Sequence, residues 1–243
     1  MSPSDRPLLP DFENGFLLSV VIPVYNEVET LEEIVRRVQA VDIPKELVLV
    51  DDGSTDGSLD MLDELEKEGN IRVLRHQGNR GKGAALKTGF DGCRGHIVVI
   101  QDADLEYDPK DFQKLLKPFF EANADVVYGS RFLVGEYERV RLFFHYMGNR
   151  FLTFLSNITT GLNLTDMETC YKAFRREVLS DITIESRKFT VEPELTAKVA
   201  RLKLRVFEVP INYSGRSYDE GKKITWRDGV AAVWAIFYYR FKS

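Results

Sequence analysis

Short apolar runs alternating with helix-forming sequence constrain this chain more than any other feature. Phe16–Pro23, Leu47–Val50, Ile71–Leu74 and His96–Ile100 read as strands. Between them lie a helix from Val28 to about Val41, a 3.6-residue period through Leu59, Leu62 and Leu65, and a helix opening after Gly81. A helix from about Asp111 to Ala122, a strand at Asp125–Gly129, a helix up to Arg201 and a final strand at Arg205–Pro210 continue the pattern. Such alternation predicts an α/β fold, with a mostly parallel central sheet and flanking helices. The functional loops of such sheets gather at the carboxyl ends of the strands. The 243 residues suit one domain over 16–225, with a disordered leader at 1–15 and a C-terminal apolar amphipathic helix at 226–243.

The strand His96–Ile100 runs into Gln101-Asp102-Ala103-Asp104-Leu105-Glu106. In an extended chain Asp102, Asp104 and Glu106 share one face. Three clustered carboxylates require a cation, and Mg²⁺ or Mn²⁺ carrying a diphosphate meets that need with oxygen ligands. Asn79–Leu86 sets Gly81 and Gly83 ahead of a helix, where backbone N–H groups approach phosphate and Arg80 and Lys82 add charge. Its spacing is neither Walker nor dinucleotide. Arg131, just past the strand Asp125–Gly129, is a phosphate-ligand candidate because its planar fork suits oxyanions. Arg216, Lys222 and Lys223 lie in a polar, glycine-containing stretch suited to a mobile loop over an anionic ligand.

A net charge of -5 supplies no basic field for nucleic acid. Cys93 and Cys170 lack metal-ligand spacing and read as reduced core residues of a cytosolic chain. Met1–Asn14 has no apolar core and reads as neither signal peptide nor anchor. Val140–Thr160 is a helical stretch crowded with aromatics, suited either to a core or to a bilayer surface and lipid-acceptor groove. A helix over Val230–Tyr239 measures ~15 Å, about half of a ~30 Å hydrocarbon layer. It does not cross a bilayer, but Trp234 and the tyrosines beside Arg240 and Lys242 suit a membrane interface.

Ser19–Glu27, Val50-Asp51-Asp52-Gly53-Ser54, Gln101-Asp102-Ala103-Asp104 and Gly129-Ser130-Arg131 occur in an order and spacing that resemble family 2 of the inverting glycosyltransferases. The resemblance spans roughly residues 18–225 and is nearest the dolichol-phosphate mannose synthase and polyprenyl-phosphate glycosyltransferase branch. It implies the GT-A fold, a single nucleotide-binding, Rossmann-like α/β domain. It also implies a UDP- or GDP-sugar donor, a polyprenyl phosphate acceptor and a role in cell-envelope biogenesis. By that resemblance Pro23, Tyr25 and Glu27 contact the base and ribose, with Asp52 also on the nucleoside. Asp102, Ala103 and Asp104 form the DxD motif, and Glu106 stands where the branch has a metal-binding Gln. Arg131 meets phosphate, and Arg216 and Lys222 match the closing loop over the diphosphate. Met147 precedes Gly148 where the branch carries a basic residue, leaving Arg141 or Arg150 to substitute. No Gln-x-x-Arg-Trp motif is present, so a long polysaccharide product is not expected.

A lipid phosphate attacks as an anion, whereas a hydroxyl acceptor needs a carboxylate base. Asp166, Glu168, Glu192 and Glu194 are the candidates. Peripheral attachment at the inner face of the cytoplasmic membrane fits a catalytic domain with aromatic segments and no anchor. A sugar-nucleotide pyrophosphorylase would instead carry a Gly-rich basic loop at Pro23–Glu27. A non-catalytic nucleotide-sugar binding protein would tolerate loss of the acids, and this chain retains them.

Overall fold

A computed structural model describes residues 9–10, 15–133, 143–188, 190–215 and 226–242. Most of the leader, together with Arg141, Arg216, Lys222 and Lys223, lies outside the described residues. The strands are β1 (Leu18–Val24), β2 (Lys45–Asp51), β3 (Ile71–Arg75), β4 (Ile97–Ile100), β5 (Val126–Ser130), β6 (Lys172–Arg175) and β7 (Val206–Pro210). The helices are α1 (Leu31–Gln39), α2 (Ser58–Leu65), α3 (Lys82–Gly92), α4 (Phe112–Glu121), α5 (Phe143–Thr160), α6 (Arg176–Leu179), α7 (Val191–Arg201) and α8 (Trp226–Phe241).

The strands form one seven-stranded sheet in the order β3-β2-β1-β4-β6-β5-β7. β4, β5 and β6 are buried throughout, as expected of strands covered on both faces, while the edge strands β3 and β7 are partly open. α1 meets the core with Leu31, Ile34, Val35 and Val38, and α4 with Phe112, Leu115, Leu116 and Phe119. Pro23 sits in β1 beyond Val21↔Ile100, the last β1–β4 pair, so its missing N–H interrupts no ladder. Only β6 runs against its neighbours, β4 and β5. The chain leaves β5 at its carboxyl end and re-enters the sheet from that same end, which reverses β6.

Asp125 fastens this second half. Its buried carboxylate accepts from the Arg205 backbone N–H (2.9 Å), Nε (3.1 Å) and Nη2 (2.9 Å) at the start of β7. Its carbonyl accepts from the backbone N–H of Arg175 in β6 (3.0 Å).

α5 carries the aromatic stretch, and among its described side chains Phe143, Tyr146, Phe151 and Phe154, with Met147 and Ile158, are exposed rather than core. α8 spans 16 residues, within the expected 226–243 and past both ends of the apolar run Val230–Tyr239. It packs against α5 and α7, with Ala235 and Tyr239 meeting Ala197. Among the described residues no helix is long and apolar enough to cross a membrane.

Asp125→Asn leaves Arg205 and Arg175 without their buried counter-charge. It is expected to lower stability by about 3 kcal/mol, read from the urea midpoint.

Candidate active site

The sheet order reverses between β1 and β4, and open α/β sheets bind ligands in the crevice beyond such a switch point. Here the loops after β1 and β2 are stitched together. Asn26 takes a left-handed φ of 53°, its N–H donates to Ser54 Oγ (3.1 Å), and its Oδ1 accepts from Thr55 N–H (2.8 Å). The next two N–H groups donate to Ser58 Oγ (3.1 Å) and Asp56 Oδ2 (3.0 Å). Pro23 sits half-buried in β1, Tyr25 is exposed, and the Glu27 carboxylate accepts from Thr30 Oγ1 (3.0 Å).

Asp52 follows β2 directly. Its buried carboxylate pairs with His76 Nδ1 (2.7 Å) and accepts from the N–H groups of Arg80 (3.0 Å) and Gly81 (2.7 Å). It anchors the glycine-rich loop. The glycines themselves serve close backbone approach. A Cβ on Gly81 would collide with the carbonyl of Arg187, and one on Gly83 with that of Ser186. Gly83 N–H donates to Arg187 O (3.1 Å). The N–H groups of Gly81 and Gly83 are therefore occupied, and the side chains of Arg80 and Lys82 are the cations this loop carries.

At the end of β4, Gln101 is pinned by Tyr171 (2.6 Å) and donates to the Asp102 carbonyl (2.9 Å). Ala103 is buried. The segment then turns, contrary to the extended path the alternate acids suggest. Leu105 has φ 63° and Glu106 N–H donates to Asp104 Oδ1 (3.2 Å). Glu106 leaves the shared face and accepts from the Tyr213 hydroxyl (2.8 Å). Asp102 instead meets Lys82, whose Nζ lies 2.9 Å from Oδ1 and 3.1 Å from Oδ2. The same Nζ is 3.1 Å from Glu192 Oε1. Burial alone would depress the lysine, but Asp102 and Glu192 outweigh it and hold its pKa well above the ordinary value. Among the described residues no three His, Cys, Asp or Glu side chains form a metal-binding group.

Arg131 and Asp166 form a buried bidentate pair, Nε–Oδ2 2.7 Å and Nη2–Oδ1 2.8 Å, with Arg131 N–H on Oδ2 (3.0 Å). Glu208 accepts from the N–H groups of Thr165 (2.8 Å) and Asp166 (3.2 Å) and so sets the acid's position. The Arg131 guanidinium lies 5.1 Å from the Tyr213 ring and 5.7 Å from the Phe132 ring. Arg150 approaches that same Phe132 ring at 5.9 Å. Among the candidate bases, Asp166 is thus saturated. Glu194 is fully buried, accepting from the N–H groups of Glu185 and Ser186 (both 2.8 Å) and pairing with Lys198 (2.5 Å). Glu168 and Glu192 remain, and each keeps one buried oxygen without a hydrogen bond. Burial, reinforced by the Glu192 charge, pushes Glu168 up to about 8. Lys172 beneath them is lowered by burial.

Composition and spacing give no sign of His76, Glu208 or Tyr213. Each earns its place through a partner distant in sequence. Between the ordinary 4.5 and about 8, the unfolded chain has released the Glu168 proton that the folded protein retains, so stability falls as pH rises. Glu168→Gln removes that loss. Its urea midpoint should exceed that of the wild type by more at about pH 9 than at about pH 4.

Known proteins share this architecture. The model of the family Glycosyl transferase family 2 matches residues 19–183. Polyprenol monophosphomannose synthase of Mycolicibacterium smegmatis is 34% identical over 84% of this chain and 79% of its own. Undecaprenyl-phosphate mannosyltransferase of Micrococcus luteus is 32% identical over 88% of this chain and 90% of its own. Undecaprenyl-phosphate 4-deoxy-4-formamido-L-arabinose transferase of Edwardsiella ictaluri is 32% identical over 87% of this chain, which spans only 64% of that relative. Glucosyl-3-phosphoglycerate synthase from Mycobacterium tuberculosis, crystallised with Mn²⁺, UDP and glucosyl-3-phosphoglycerate, superposes with a TM-score of 0.70 at 21% identity, over 93% of this chain and 80% of that one. The chain belongs to glycosyl transferase family 2, and is a glycosyltransferase with the GT-A fold.

Proposed function

We propose that the protein transfers a hexose from a UDP- or GDP-sugar to a polyprenyl phosphate, with inversion at the anomeric carbon. The observation that carries this reading is an exposed apolar surface adjoining the charged site. Phe143, Met147, Phe151, Phe154 and Ile158 follow helical spacing along α5. Val230, Trp234, Phe237, Tyr238 and Phe241 do the same on α8, which packs beside it. Phe132, flanked by the Arg131 and Arg150 guanidiniums, touches Tyr146 of α5 (5.3 Å between rings). A lipid phosphate would meet these arginines while its tail follows α5, with both helices against the inner face of the membrane. Arg150 then takes the basic role missing at Met147.

The state of the acids favours phosphate over a hydroxyl acceptor. A phosphomonoester carries about 1.5–2 negative charges near neutral pH and needs no base. Glu168 keeps its proton below about 8, Asp166 is engaged by Arg131, and Glu192 is paired with Lys82.

Pro23, Tyr25 and Glu27 would line the nucleoside, and Lys82, with Arg216 and Lys222, the diphosphate. Asp102 and Asp104 would hold Mg²⁺ or Mn²⁺, with Glu106 nearby. The donor set fits a hard cation, since Asp102 already gathers a stand-in ammonium on both oxygens. When bound, the metal supplies charge neutralisation to the departing nucleoside diphosphate.

With Mn²⁺ and a panel of UDP- and GDP-sugars, nucleoside diphosphate release is expected to require polyprenyl phosphate. Asp104→Ala should slow it on the order of 100-fold. Release indifferent to the lipid, or full turnover by Asp104→Ala, would overturn the reading. In a flotation assay with anionic liposomes, Phe154→Glu and Trp234→Glu should each weaken partition roughly tenfold.

A further inference from the structure

We propose that Lys82 is a latch, holding the Asp102 carboxylate closed against a divalent cation until a nucleoside diphosphate draws the lysine away. This rests on the donor reading above and assigns the site an order of binding. Both Asp102 oxygens face the Lys82 ammonium, at 2.9 and 3.1 Å, so a metal reaching this carboxylate meets a cation already there. The pair is shielded: the side chains of Lys82 and Asp102 are 15% and 21% exposed, and that of Glu192 is 9%. Solvent therefore screens the contact weakly.

The backbone around Lys82 is fixed. Gly81 N–H is held by Asp52 (2.7 Å) and Gly83 N–H by Arg187 O (3.1 Å), so any release has to come from the side chain alone. One ammonium serves two carboxylates there, and Glu192 Oε2 is buried without a partner. A diphosphate is the stronger competing anion for the lysine, and a divalent cation then replaces its charge on Asp102. Metal and nucleotide must consequently strengthen each other's binding by the same factor.

The test is Mn²⁺ binding by calorimetry, without nucleotide and with saturating UDP or GDP. Lys82→Met should bind Mn²⁺ alone about tenfold tighter than the wild type, and the enhancement by nucleotide should shrink by a similar factor. Lys82→Gln, which is neutral but polar, should behave alike and serves if the methionine variant folds poorly. Lys82→Arg retains the cation and should bind Mn²⁺ alone no tighter than the wild type. Unchanged or weaker binding of Mn²⁺ alone by the neutral variants, while the wild type still binds it with nucleotide, would overturn the latch and leave the donor reading standing. No Mn²⁺ binding by the wild type even with saturating nucleotide would overturn both.

Discussion

A carboxylate taken out of water has to be met by donors or a cation, and the functional edge of this sheet is assembled by meeting that requirement one acid at a time. Asp52 is met by His76 and two loop amides, Asp166 by Arg131, Glu194 by two amides and Lys198, and Glu208 by the Thr165–Asp166 turn. Each pairing joins segments far apart in sequence. The acids outside these pairings, Asp102 above all, are left to a mobile charge.

This division separates scaffold from chemistry among residues of the same type. Asp166 and Glu168 are two positions apart, yet one is fixed by a bidentate guanidinium and the other keeps an unpaired oxygen and a raised pKa. The Arg131–Asp166 pair holds a guanidinium beside Tyr213 and Phe132, so in the proposed reaction a phosphate would meet a side chain already ordered.

Much of the fold was legible because period and burial coincide. The strands at Leu47–Val50 and His96–Ile100 fall within one or two residues of β2 and β4. The position of Asp102 and Asp104 just past β4 follows from the same pattern. What escaped depends on tertiary contact. The turn at Leu105 uses a positive φ at a residue that does not advertise one, and it sends Glu106 to Tyr213. Gly81 and Gly83 have the composition of a phosphate loop, but their small size answers to Ser186 and Arg187, roughly a hundred positions away. The direction of β6 is set by the route of the chain after β5, which no local pattern records.

The glycine contact has an asymmetric evolutionary consequence. Ser186 and Arg187 meet Gly81 and Gly83 through carbonyl oxygens, which every amino acid carries. The side chain at 187 is thus free to drift as far as this contact is concerned, whereas 81 and 83 are closed to any residue with a Cβ. Diversification of the side chains in the segment ahead of α7 can therefore proceed without disturbing the loop that carries Lys82.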